Sequence, residues 1–219
     1  MKLFVGSIEL NFEKKGLGKP LIMIHGNGED LHIFDELSES LKEDFTIYSI
    51  DMRNHGKSKM TDDFDYSVMA YDIYLFIQKL KIEKPLFFGF SDGGIIGLLL
   101  AIAFPDLFDK VAIAGANMNP EGLKLNILKT LHEEYEKTNS PYLKMMLEQP
   151  NIKNRDLSKI KTPVLVLAGE FDLIRPTHTS RIARHIKNST VKIIPKRNHY
   201  DYIEHSTELK TILIDYFLD

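Results

Sequence analysis

The sequence predicts an α/β fold class, a mostly parallel, doubly wound sheet carrying a minimal helical lid. Three observations lead there. Apolar runs such as "LIMI", "FTIYSI" and "PLFFGF" are continuous, as in strands covered on both faces. Stretches with helical spacing separate these runs, so strand and helix alternate along the chain. Two strands with period-two alternation precede the alternating part and read as an antiparallel start. The 219 residues suit one domain with a small insertion and are enough to bury a sizeable core.

In "KLFVGSIELNFEKKGLGKP", Leu3 and Val5, then Ile8, Leu10 and Phe12, alternate across two strands with a turn at each end. Leu21, Ile22, Met23 and Ile24 make the first fully covered strand. "IFDELSESLKE" follows as a helix with Ile33, Phe34, Leu37 and Leu41 on one face. "FTIYSID" is a strand, "SVMAYDIYLFIQKLKI" a helix and "PLFFGF" a strand. "GGIIGLLLAIAFP" is a helix stopped by Pro105. "KVAIAGA" and "TPVLVLAGEFD" are strands. "PTHTSRIARHIK" is a helix with Pro176 near its start, where the missing N–H does no harm. "STVKIIP" adds a strand, and "EHSTELKTILIDYFL" a closing amphipathic helix. Only 117–160 breaks the alternation. It is polar, charged and methionine-bearing, and reads as a small helical lid over the strand ends. The core is then 1–116 and 161–219.

Composition excludes several functions. A net charge of −3 leaves no basic footprint for nucleic acid. There is no cysteine, hence no disulfide frame, thiolate nucleophile or thiolate metal site. No apolar run approaches membrane-spanning length. In "MKLFVGSIELNFEKKG", polar Ser7, Glu9 and Asn11 interrupt any signal-peptide core, so a cytoplasmic protein without membrane partners is expected. "NHGKS" ends like a phosphate-binding loop, but Asp51 stands where the first glycine of that motif belongs. "GFSDGG" is not a dinucleotide fingerprint. There is no H-E-x-x-H or clustered ligand set, so neither metal nor cofactor is expected.

The informative motif is Gly89-Phe90-Ser91-Asp92-Gly93, a G-x-S-x-G between an apolar strand and an apolar helix. A very tight strand-to-helix turn forces its serine into an unfavourable backbone conformation and lifts the hydroxyl clear, provided the residues two positions away are small. The helix beginning at Asp92 aims free N–H groups and a positive dipole end at any oxygen beside Ser91. An ordinary strand–turn–helix corner uses the same residues, so partners must decide. A serine nucleophile needs a base, and the base needs an orienting carboxylate. Asp172 follows the strand "VLVLAGEF", and His199 follows the next strand, giving the chain order Ser, Asp, His. Glu170 and His205 are the reserve acid and base. Glu170 falls at a strand end, and His205 falls near or within the final helix. An oxyanion needs two N–H donors. Asp92 supplies one from its backbone, and the loop Gly26-Asn27-Gly28 the other, through Asn27. His25 reads as a loop organiser, and His32, His55, His132, His178 and His185 as surface or packing residues.

Taken together, "HGNGED", "DMRNHGKS", "GFSDGG", "LAGEFD" and "NHYDYIEH" in this order resemble the α/β-hydrolase fold superfamily, serine hydrolase branch. The elbow and its helix are similar to the biphenyl hydrolase-like enzymes, which include valacyclovir hydrolase. The resemblance implies Ser91 as nucleophile, Asp172 as acid and His199 as base. It departs at Asn54, where the family usually has glycine, and so raises the question of that loop's conformation.

A serine hydrolase of a small carboxylic ester or related acyl compound is the expected function, acting through an acyl-enzyme. The alternative is a small-molecule sensor that keeps the triad and signals to a protein partner. Turnover of short esters, lost on Ser91→Ala, separates the two. In the lid, Met118, Leu128, Leu131, Tyr135, Leu143, Met145 and Met146 are the candidates to face the site, and methionine adapts to irregular shapes. Gly26, Met118, Met145, Met146 and Asp92 are the expected substrate contacts. A carboxylate at Asp92, beside the nucleophile, must be turned away, paired, or used to attract a cationic group such as the amine of an amino-acid ester.

Overall fold

The computed structural model describes residues 1–219. Period-two alternation makes β1 (Lys2–Val5) and β2 (Ile8–Lys15) an antiparallel hairpin that buries Val5, Ile8, Leu10 and Phe12. β2 pairs antiparallel with β4 (Phe45–Ile50). Every further pairing is parallel: β4 with β3 (Lys19–Ile24), β3 with β5 (Leu86–Phe90), β5 with β6 (Val111–Ala114), β6 with β7 (Val164–Gly169), and β7 with β8 (Ser189–Ile194). The sheet order is β1-β2-β4-β3-β5-β6-β7-β8.

The continuous apolar runs have a direct cause. In β3, Ile22 and Ile24 join one core and Leu21 and Met23 the other. In β5, Phe87 faces the first core, while Leu86, Phe88 and Phe90 face the second. Successive side chains point to opposite faces, so a strand covered on both sides needs no polar alternate. The first core is closed by α2 (Tyr66–Lys79), α3 (Asp92–Ala103) and α7 (Pro176–His185). The second is closed by a 3₁₀ turn at Leu31–Phe34, α1 (Asp35–Leu41) and α8 (Lys210–Leu218). None of the helices is long and apolar enough to cross a membrane.

Between β6 and β7 the chain leaves the sheet. It forms a 3₁₀ turn (Pro120–Gly122), α4 (Leu125–Thr138), α5 (Pro141–Glu148) and the single turn α6 (Asn154–Leu157). α4 buries none of its residues and α5 only Met145, so this pair lies over the domain, whereas Leu157 of α6 reaches the first core.

One expectation changes and one open question is answered. The closing helix begins at Lys210, not near Glu204, because residues 200–209 form turns and His205 takes a left-handed φ of 47° that cannot start a helix. Asn54 adopts the glycine-like conformation at φ 64°, which asparagine tolerates better than most residues. Its side chain then donates to Asp63 O at 2.8 Å and accepts from the Thr61 N–H at 2.6 Å, fixing the loop.

Candidate active site

Ser91 stands at the carboxyl end of β5, near the middle of the sheet. Its φ of 50° and ψ of −112° are those of a strained turn, held by its own N–H to Ala114 O (2.8 Å) and the Gly93 N–H to His25 O (3.0 Å). Both flanking glycines are required sterically. A Cβ on Gly89 would stand 2.2 Å from Gly93 O, and one on Gly93 would stand 2.0 Å from Ile24 O.

Asp172 lies in the loop after β7, and His199 in the loop after β8. The imidazole bridges the other two groups. Nδ1 donates to Asp172 Oδ1 at 2.7 Å, and Nε2 faces Ser91 Oγ at 3.2 Å. Both Asp172 and His199 are buried. The Asp172 carboxylate also accepts the N–H groups of Gly169 and Ile174, each at 3.0 Å. Burial would raise its pKa, but the imidazole and these two N–H donors outweigh that and hold it below the usual range. Gly115 completes the geometry, since a Cβ there would stand 2.5 Å from His199 Cε1. The reserves lie elsewhere. Glu170 is exposed and accepts the Lys196 N–H, and His205 is exposed and paired with Glu36 at 3.1 Å.

A cavity of about 170 Å³ opens over Ser91 and His199. Asn27 and Asp92 both line it, and the Asn27 backbone N–H bonds to no protein group. Asp92 is both buried and paired. Its Oδ1 accepts from the Tyr66 hydroxyl (2.8 Å), and its Oδ2 from the Asn27 side-chain amide (2.9 Å). Burial raises the carboxyl, and these two donors pull it back. His25 organises the loop as expected. Its Nδ1 donates to Gly26 O (2.7 Å) and its Nε2 accepts the Met52 N–H (3.1 Å), while burial depresses its pKa to about 4.

The insertion contributes Leu131 and Met146 to the cavity wall, as expected. Met118 and Met145 do not reach it. Both are packed in the first core, because a flexible apolar side chain fills a core gap as readily as a ligand cavity. Leu128, Tyr135 and Leu143 are also absent from the wall, as is Gly26, which instead backs the Ser91 Cβ. Glu29, Tyr66, Asn117, Gln149 and Tyr200 line the cavity without having been singled out by sequence. Tyr200, Leu173 and Ile174 were findable as chain neighbours of His199 and Asp172. No three histidine or carboxylate side chains converge as a metal site.

A mostly parallel eight-stranded sheet with an antiparallel start, and a serine on a tight turn after β5, is the architecture of an α/β hydrolase. The chain belongs to the alpha/beta hydrolase fold family, whose model matches residues 19–138. Human serine hydrolase BPHL is 24% identical, covering 98% of this chain and 85% of that protein. A pimeloyl-[acyl-carrier protein] methyl ester esterase of Neisseria meningitidis is 22% identical over 90% of this chain and 93% of its own length. In structure, the enol-lactonase from Burkholderia xenovorans LB400 superposes with a TM-score of 0.84 over the whole of both chains at 19% identity, a likeness of fold.

Proposed function

We propose that this protein is a serine hydrolase that cleaves a small carboxylic ester or related acyl compound through an acyl-enzyme. The observation that carries the reading is the His199 imidazole bridging Ser91 Oγ and Asp172. With Nδ1–H committed to Asp172, Nε2 is the free acceptor for the serine proton. Ser91 Oγ attacks the carbonyl carbon while its proton passes to Nε2. The oxyanion is met by the N–H groups of Asn27 and Asp92. Collapse breaks the ester C–O bond, and His199 returns the proton to the leaving alcohol. Water, deprotonated by the same nitrogen, then releases the acid and restores Ser91.

The relatives named as esterases and hydrolases support ester cleavage. The cavity volume supports a small substrate, since it lies below the several hundred Å³ common for drug-sized ligands. Residues 117–160 serve in this reading as a minimal lid, with Leu131 and Met146 on the substrate side. A preference for substrates with an amino group near the ester is supported by Asp92 on the cavity wall, where no lysine or arginine lies, although both its carboxylate oxygens are held by Tyr66 and Asn27.

Turnover of p-nitrophenyl acetate tests the triad. Ser91→Ala, Asp172→Asn and His199→Ala should each lose on the order of 10⁴-fold in rate. A folded His199→Ala protein with near-native turnover would overturn the assignment of the base.

A further inference from the structure

Two side chains on the cavity wall also face a second hollow. This hollow, of about 400 Å³, lies at the surface between the start of α2, α3 and the segment leading into α6. Tyr66 and Gln149 line both it and the cavity over Ser91, and no other residue lines both. The two spaces therefore share a wall made of these two residues. Tyr66 is 1% exposed and its hydroxyl is committed to Asp92, so its place is fixed. Gln149 stands at the C-terminal end of α5 and is half-buried. Its Oε1 accepts the Tyr66 N–H at 3.2 Å, and its Nε2 donates to Phe64 O at 3.3 Å. The amide is thus a bar from the insertion to the chain entering α2.

The hollow suits a hydrocarbon chain. Leu99, Ile102 and Ile152 form its apolar part, and no lysine or arginine lines it. Its two carboxylates are already occupied. Asp65 accepts the Ser67 and Val68 N–H groups at the start of α2, and Asp156 accepts the Lys153 N–H and pairs with Lys159 at 2.8 Å. The cavity over Ser91, at about 170 Å³, is less than half as large as the hollow behind its wall.

We propose that Gln149 is a specificity-determining residue: its side chain closes the substrate cavity and limits the alkyl chain an ester can carry, and the hollow beyond is the space a longer chain would enter. The chain can belong to the acyl or the alcohol part, since both meet the same wall. Gln149→Ala removes the bar and leaves Tyr66 and its bond to Asp92 in place. Each methylene then buried is worth about fourfold in binding, so two of them already exceed about tenfold. Gln149→Met keeps a side chain of similar length without either hydrogen bond, and so keeps the wall.

A length limit seen in turnover rests on Ser91 being the nucleophile of an esterase, so a second readout does without turnover. In pH-stat assays, kcat/KM for p-nitrophenyl octanoate relative to p-nitrophenyl acetate reads the acyl side, and octyl acetate relative to ethyl acetate the alcohol side. Gln149→Ala should raise one of these ratios by about tenfold or more over the native protein, and Gln149→Met should leave both near the native values. Ratios unmoved in a folded Gln149→Ala protein would overturn the proposal. So would an equal rise in Gln149→Met, because loosening of α5 and not the vacated space would then be the cause. The second readout is methyl NMR with methyl octanoate on Ser91→Ala protein. With Gln149 intact, Ile174 in the cavity and Ile102 in the hollow should not shift along one common saturation curve; with Gln149→Ala added, they should. A common curve with Gln149 intact would mean that one chain already spans both spaces, and would refute the wall even if that second variant failed to fold. A protein that cleaves none of these esters loses the esterase reading, and the NMR titration alone then decides for or against the wall.

Discussion

His178 offers a prediction whose size follows from geometry. It sits on α7, only 4% exposed, and its Nε2 accepts the Met118 N–H at 2.9 Å. The ring packs on Gly122, where a Cβ would stand 2.6 Å from Nε2. It therefore fastens the first turn of the insertion to the domain. A nitrogen that accepts a hydrogen bond must be unprotonated. Burial depresses the pKa to about 4, the charges of Arg175 and Arg181 add to this, and Glu121 opposes them. In the unfolded chain the value is about 6.5. Between these two values the unfolded state binds more protons, so the contribution of His178 is intact above about 6.5 and is lost as pH falls towards about 4. Each unit corresponds to about 1.4 kcal/mol, so the whole depression is worth about 3 kcal/mol. Other groups, such as His25 and Asp172, also weaken the fold in acid, and a native melting curve alone mixes them. They cancel when native protein is compared with His178→Gln, which cannot titrate. Urea unfolding followed by circular dichroism from pH 7 to pH 4 gives both stabilities. The advantage of the native protein should shrink by about 3 kcal/mol across that range. A difference that stays constant with pH would show that His178 titrates normally in the folded state and that its contact with Met118 is not what keeps it neutral.

Two further outcomes follow from the elbow. Gly93→Ala places a methyl 2.0 Å from Ile24 O, so it should cost about 3 kcal/mol and lower Tm by about 10 °C for a chain of this size; an unchanged Tm would mean that the turn relaxes freely. If Asp92 selects amines, the native protein should prefer an amino-acid ester to its uncharged analogue of the same size, and Asp92→Asn should lose most of that preference while still cleaving the neutral ester. Equal losses on both substrates would instead make the carboxylate a structural partner of Tyr66 and Asn27.

The sheet was legible because its central strands are contiguous apolar runs, and Ser91, Asp172 and His199 were legible because each lies in the turn or loop that follows a strand. Sequence also placed Asn27 and Asp92 in the cavity wall. It did not find what Asp92 touches, since Tyr66 and Asn27 come to it from distant turns and no local pattern announces a hydroxyl–carboxylate contact. Gly115 was hidden for the same reason, its requirement being the His199 ring and not its own turn alone. The insertion was readable as helical but not as oriented. Its amphipathic faces are clear in α4 and α5, yet periodicity says only which residues avoid water. Whether Met145 meets a core and Met146 a cavity depends on what lies beneath the helix.

The place where the insertion leaves and rejoins the sheet makes the chain modular. Ser91, Asp172 and His199 are carried by turns after β5, β7 and β8, and the neighbouring strands β5, β6, β7 and β8 are hydrogen-bonded to one another. The stretch from Met118 to Gln149 starts and ends outside those strands, yet it contributes Leu123, Ile127, Leu131 and Met146 to the cavity wall. Under the proposed function, the part of substrate preference that depends on Leu131 and Met146 can then vary apart from the turns that carry Ser91, Asp172 and His199.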